Sequence, residues 1–207
     1  MQGSAAATRS HPGESAIDPS AAFAPAGDDR AIVEAILGGR RDAYRIIVER
    51  DGPTLVRACH RILGDLHEAE DAAQEAFVIG FRSLSTWRGE GPLAAWLSRI
   101  AVRIALRKAK ATKSVTWLET APDDTRGELV SSLPDPGALA IQAERSAAVR
   151  AAVAGLDEPY REVVALRFFA ERSLAEIAEQ TGRPLGTVKT HLHRGLLRLR
   201  DRLGSEA

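Results

Sequence analysis

Cysteine is almost absent: Cys59 stands alone, cannot close an internal disulfide, and fits a reducing cytoplasm. No run approaches the roughly 20 apolar residues that span a bilayer, which excludes membrane insertion. The opening stretch MQGSAAATRS has no apolar signal core, which argues against export. A P-loop, a dinucleotide fingerprint and a His/Cys/Asp cluster at ligand spacing are all missing. The expectation is therefore a non-enzyme with no catalytic residues, no metal and no cofactor. Glu68, Glu70 and Glu75 are the only grouped carboxylates of note, and nothing around them argues for burial. There is no net charge either, 28 basic residues against 28 acidic, which taken whole argues against a nucleic-acid binder. Hydrophobic residues at 44% and charged residues at 27% exclude a disordered, collagen-like or coiled-coil chain.

The zero net charge hides a segregated distribution. Residues 99–113 carry Arg99, Arg103, Arg107, Lys108, Lys110 and Lys113 with no acid. Residues 183–202 carry Arg183, Lys189, Arg194, Arg198, Arg200 and Arg202 against Asp201 alone. Residues 65–75 reverse the sign, with Asp65, Glu68, Glu70, Asp71 and Glu75 and no Lys or Arg. Two basic stripes and one acidic stripe imply separate surfaces for separate partners.

Strand-like alternation is also missing, so the expected fold is all-α. Residues 1–29, rich in Ala, Ser, Gly and Pro, read as a disordered tail. Residues 30–113 are helical almost throughout, with an interruption expected at Gly52-Pro53 and a break at Gly89, Gly91 and Pro92. Residues 114–139 hold Pro122, Pro134 and Pro136 with five acids against Arg126, and read as a flexible acidic linker. Residues 140–207 return to helical spacing. Two small helical domains joined by a tether are expected.

In the second domain, Ser173-Leu174-Ala175-Glu176 spells a capping box, and Thr181-Gly182 an exit in the left-handed conformation. Pro184 suits the start of a new helix. Val188, Leu192, Leu196, Leu199 and Leu203 would form its buried seam. Thr187, Lys189, Thr190, His191, Arg194 and Arg198 would face outward. A short helix, a Gly turn and a cationic second helix make a helix-turn-helix, whose second helix enters the major groove. Asp157 is placed to cap the preceding helix. His191 and His193, two apart, point to different faces and do not chelate. In the first domain, Arg99, Arg103, Arg107 and Lys110 recur every three or four residues as a phosphate-binding stripe lacking acids to pair with. Trp87 could stack on an unpaired base, while Trp96 lies at core spacing.

These residues carry a resemblance. The stretches from Asp71 to Phe77, Phe81-Arg82, Trp87 to Glu90 and Trp96 to Ala101 resemble the second conserved region of bacterial RNA polymerase sigma factors. Leu156 to Val163 and Gly186 to Arg194 resemble the fourth region. With only these two regions, the chain resembles the extracytoplasmic-function group. The resemblance implies a promoter-specificity subunit, active in a stress or envelope response and held inactive by an anti-sigma factor. Asp71, Gln74, Glu75 and Phe77 would dock on the polymerase core (the largest subunit's clamp, with the flap region as a further contact). Trp87, Arg88, Arg99, Arg103, Arg107 and Lys110 would bind the minus-ten element of promoter DNA. Thr187, Lys189, Thr190, His191, Arg194 and Arg198 would bind the minus-thirty-five element. The alternative is a sigma-like decoy that sequesters an anti-sigma factor without binding DNA; the two cationic faces weigh against it.

Overall fold

The computed structural model describes residues 29–116 and 136–204. Eight α-helices and two short 3-10 turns (Arg41–Ala43 and Leu84–Thr86) make up most of them, with no strand among the described residues. Helices α1 (Asp29–Leu37), α2 (Tyr44–Leu63), α3 (Leu66–Ser83) and α4 (Leu93–Thr116) build the first lobe. Helices α5 (Pro136–Ala154), α6 (Tyr160–Phe168), α7 (Leu174–Thr181) and α8 (Leu185–Gly204) build the second. The expected tail and linker fall largely on residues 1–28 and 117–135, outside the described residues.

In the first lobe α2, α3 and α4 pack mutually. Alanines make that approach close: Ala69, Ala72, Ala73 and Ala76 of α3 are buried at helical spacing beside Phe77. The Asp65 carboxylate caps α3 by accepting from the Glu68 N–H at 2.8 Å. A side chain at Gly80 would meet Leu97 at 2.6 Å and the Tyr44 hydroxyl at 3.1 Å, so only glycine lets α3 come this near. The Tyr44 hydroxyl donates to the Phe77 carbonyl at 2.8 Å, binding the start of α2 to α3.

Three expectations are corrected here. Gly52-Pro53 does not interrupt α2, which runs through Pro53 without a break. A proline inside a helix costs about 3 kcal/mol, but Ile47 and Leu55 on either side are both fully buried, and stopping the helix would expose one of them. Asp29 is no part of a loose tail: its carboxylate pairs with Arg50 at 2.7 Å and accepts from the Leu93 N–H at 2.8 Å, fixing the start of α1 to the start of α4. Asp157 does not cap α6. That helix opens on Pro159 without a side-chain cap, and it is the Glu158 carboxylate that accepts from the Glu162 N–H at 3.3 Å.

The second lobe follows its local signals closely. Ser173 and Glu176 form the reciprocal capping box of α7, and Gly182 takes φ 64° at its exit. The seam of α8 differs from the leucine ladder. Val188, Gly195 and Leu199 are buried while Leu196 is 40% exposed. A Cβ at Gly195 would stand 2.7 Å from Val164, so α8 crosses α6 at its glycine. That rotates Leu196 outward.

Candidate nucleic-acid interface

Helix α3 presents one row at i, i+3, i+4 and i+7 spacing: Asp71, Gln74, Glu75 and Val78. Asp71 and Gln74 are exposed and Glu75 is half-buried, its carboxylate 2.5 Å from Arg107. Val78 is 50% exposed and Phe81 36%. Beside them Tyr44, Val48 and Phe77 shape an open hollow of about 1060 Å³. An acidic row flanked by an apolar hollow suits a partner helix carrying cations and apolar side chains.

Helix α4 carries the first basic stripe, and its cations are met by acids from other elements. Arg99 and Arg103 both donate to Glu162 of α6 at 2.9 Å. Arg107 reaches Glu75, and Lys108 stands 3.4 Å from Glu68. The expectation of a stripe without pairing partners is thus corrected: the acids lie on neighbouring helices, not on α4, so spacing along α4 could not reveal them. Glu162 is 3% exposed. Burial pushes its carboxyl up, but the hydrogen bond and charge of Arg99 and the charges of Arg103 and Arg183 outweigh this and hold it below the usual carboxylate range.

On α8, Lys189, Thr190, His193 and Arg194 are exposed. His191 is turned toward α6, its ring edge-on to Tyr160 at 5.7 Å. Burial first, then the charges of Arg183 and Arg194, lower the His191 pKa below the usual histidine value. Arg198 lies over the Tyr160 ring at 4.1 Å and 3.5 Å from Asp157.

Comparison with known proteins decides what this arrangement belongs to. Residues 47–115 match the family described as Sigma-70 region 2, and residues 146–199 match Sigma-70, region 4. The ECF RNA polymerase sigma factor SigW of Bacillus subtilis is 31% identical over 176 residues, covering 83% of this chain and 94% of SigW. The chain belongs to the ECF RNA polymerase sigma factors. The ECF RNA polymerase sigma-E factor of Escherichia coli is 28% identical over 174 residues, covering 80% of this chain and 89% of that protein. The structure of CnrH in complex with the cytosolic domain of CnrY shares the fold, with a TM-score of 0.57 at 21% identity over 87% of this chain and all of that one.

As a sigma factor the chain works with RNA polymerase and promoter DNA. Several residues singled out from the sequence take other positions than expected. Phe77 is 8% exposed in the core, where it stacks edge-on with Tyr44 at 6.3 Å; it holds α3 in place and is not a free docking side chain. Trp87 is half-buried against the core. Trp96 packs against the core as its spacing suggested. Thr187 is half-buried and His191 and Arg198 lean on α6, so Lys189, Thr190 and Arg194 form the open part of that face. Arg88, Arg107 and Lys110 are exposed at the surface. Sequence reasoning missed Glu162 and the exposed Val78 and Phe81. A lone carboxylate within a helix gives no signal of its own, and Val78 and Phe81 lie off the alanine face that the spacing of α3 singled out. No helix of the described residues is long and apolar enough to cross a membrane.

Proposed function

We propose that this sigma factor divides its work among three surfaces. The α3 row of Asp71, Gln74 and Glu75, with Val78 and Phe81 beside it, docks on the clamp of core polymerase. The stretch from Trp87 through Arg88 into α4, with Arg99, Arg103, Arg107 and Lys110, holds the minus-ten element. Lys189, Thr190 and Arg194 read the minus-thirty-five element in the major groove, flanked by Thr187, His191 and Arg198. The observation that carries this is the exposed cationic face of α8 behind a capped α7 and the Gly182 turn. The Arg198–Asp157 pair is exposed and worth little, so Arg198 stays available to a backbone phosphate.

On this reading the protein catalyses no reaction. It acts in the cytoplasm, its two functional units span residues 30–113 and 140–207, and an anti-sigma factor holds it inactive until a stress or envelope signal arrives. The test is binding by full-length variants. Arg194→Ala should lower affinity for the cognate minus-thirty-five duplex more than for a scrambled one, since an Arg–guanine contact discriminates by about 1–3 kcal/mol. Glu75→Lys should weaken binding to core polymerase. Equal losses of Arg194→Ala on both duplexes, or an unaltered core affinity for Glu75→Lys, would reject the corresponding surface.

A further inference from the structure

Helix α1 buttresses both ends of the loop between α3 and α4. It lies against the Leu84–Thr86 turn, from which the loop departs. At the other end the Asp29 carboxylate accepts from the Leu93 N–H at 2.8 Å, where the chain re-enters a helix. Asp29 is itself anchored, paired with Arg50 at 2.7 Å. Arg50 in turn donates twice to Asp51, from Nε to Oδ1 at 3.0 Å and from Nη2 to Oδ2 at 2.9 Å. Asp51 is 6% exposed, so this chain of charges is rooted in the core of the first lobe. The residue after Asp29 is Arg30, and its guanidinium lies on the backbone of the loop. A Cβ at Gly89 would stand 2.5 Å from the Arg30 Nη2 and 3.2 Å from its Cζ. Gly89 also takes φ 73°, so the position needs glycine both for the turn and for the arginine seated on it.

Arg30 is exposed, and among the described residues no carboxylate pairs with it. Its neighbour Asp29 is already engaged by Arg50 and Leu93. Arg88, inside the loop, is exposed as well, so two cations from distant parts of the chain flank Gly89. A guanidinium already seated by packing loses less freedom when it meets an anion than one on a free side chain. The geometry points to Arg30 as a further promoter contact, to a phosphate of the single strand that the loop of residues 87–92 holds. The target is phosphate and not a base: an unstacked base is read inside a close-fitting pocket, and Arg30 stands exposed on the rim. Arg30 precedes the residues 47–115 matched to Sigma-70 region 2, so the family match does not extend to it. This inference rests on the assignment of the stretch from Trp87 through Arg88 to the minus-ten element.

The experiment uses the holoenzyme formed with purified core polymerase. Its probe is a fluorescent oligonucleotide of the non-template strand, taken from a start site that the same holoenzyme maps. Anisotropy gives the affinity across a salt series for wild type, Arg30→Ala, Arg30→Lys and Arg88→Ala. One phosphate contact to a single strand contributes about 0.7 to the slope of log affinity against log salt. Arg30→Ala should therefore flatten the slope by about 0.7 and weaken binding about fivefold at about 0.1 M salt, with the loss vanishing near about 1 M. Arg30→Lys keeps the charge and should keep the slope. The urea midpoint of Arg30→Ala should match that of wild type, as expected of an exposed side chain. An unchanged slope for Arg30→Ala beside a flattened one for Arg88→Ala overturns the Arg30 contact alone. Unchanged slopes for both overturn the assignment of the loop to the minus-ten element together with it. A loss in Arg30→Lys as large as in Arg30→Ala overturns phosphate as the target. A lowered urea midpoint with an unchanged slope reduces Arg30 to a prop for the loop and overturns the contact.

Discussion

Placing alanine at Gly195 sets two effects of known size against each other. In an exposed helix the change stabilises by about 1 kcal/mol, since alanine is the better helix former. Here the new Cβ would meet the Val164 methyl at 2.7 Å, with the Tyr160 Cβ at 3.5 Å behind it. Valine is stiff at χ1 and Val164 is 1% exposed, so it has little room to give. Overpacking of this kind costs about 1–3 kcal/mol, and the net expectation is a loss of about 1 kcal/mol. Val164→Ala alone removes two buried methyl-sized groups and costs about 2 kcal/mol. In the double variant the alanine methyl at 195 fills the space that valine leaves, and the helix gain is recovered. The pair should therefore cost about 1 kcal/mol where the single losses sum to about 3 kcal/mol, a coupling of about 2 kcal/mol. Urea unfolding of the four proteins measures this cycle. Stabilisation by Gly195→Ala alone, or additivity in the double variant, would refute the view that close approach at Gly195 sets the angle of α8.

Other consequences are quickly stated. Glu162 has a lowered folded pKa, so its contribution to stability is complete above the ordinary glutamate range and is lost as pH falls through the lowered value; the stability gap between wild type and Glu162→Gln should close on acidification, and a gap that widens there would contradict the charge cluster. Burial pushes the Cys59 thiol up to about 12 against the opposing charge of Lys108, so at pH 8 its labelling by a thiol reagent should proceed only as fast as the chain opens. Ser173→Ala removes a capping hydroxyl and should cost about 1 kcal/mol in unfolding free energy. The His191 ring should titrate by NMR below the usual histidine value of about 6.5, leaving minus-thirty-five binding flat between pH 7 and 8.

What was legible in the chain was what is local. The Ser173–Glu176 box, the Gly182 exit and the alanine face of α3 are short-range patterns, and each appears where the spacing placed it. The two sigma regions were legible because their motifs are dense and ordered along the chain. What escaped was decided across helices. Pro53 stays helical because distant side chains bury Ile47 and Leu55. Gly195 replaces Leu196 in the seam because Val164 stands opposite it. The α4 stripe looked free of acids because Glu162 is 59 residues from Arg103 in sequence and 2.9 Å from it in space.

Transcription with purified core polymerase on a genomic DNA library, with mapping of transcript 5′ ends, tests the central claim most directly. Wild-type chain should produce starts at discrete sites that share both an upstream element, read by α8, and a minus-ten element. Arg194→Ala should redistribute those starts toward sites with a different upstream element. Starts scattered without shared elements, or a start map that Arg194→Ala leaves unchanged, would contradict the account.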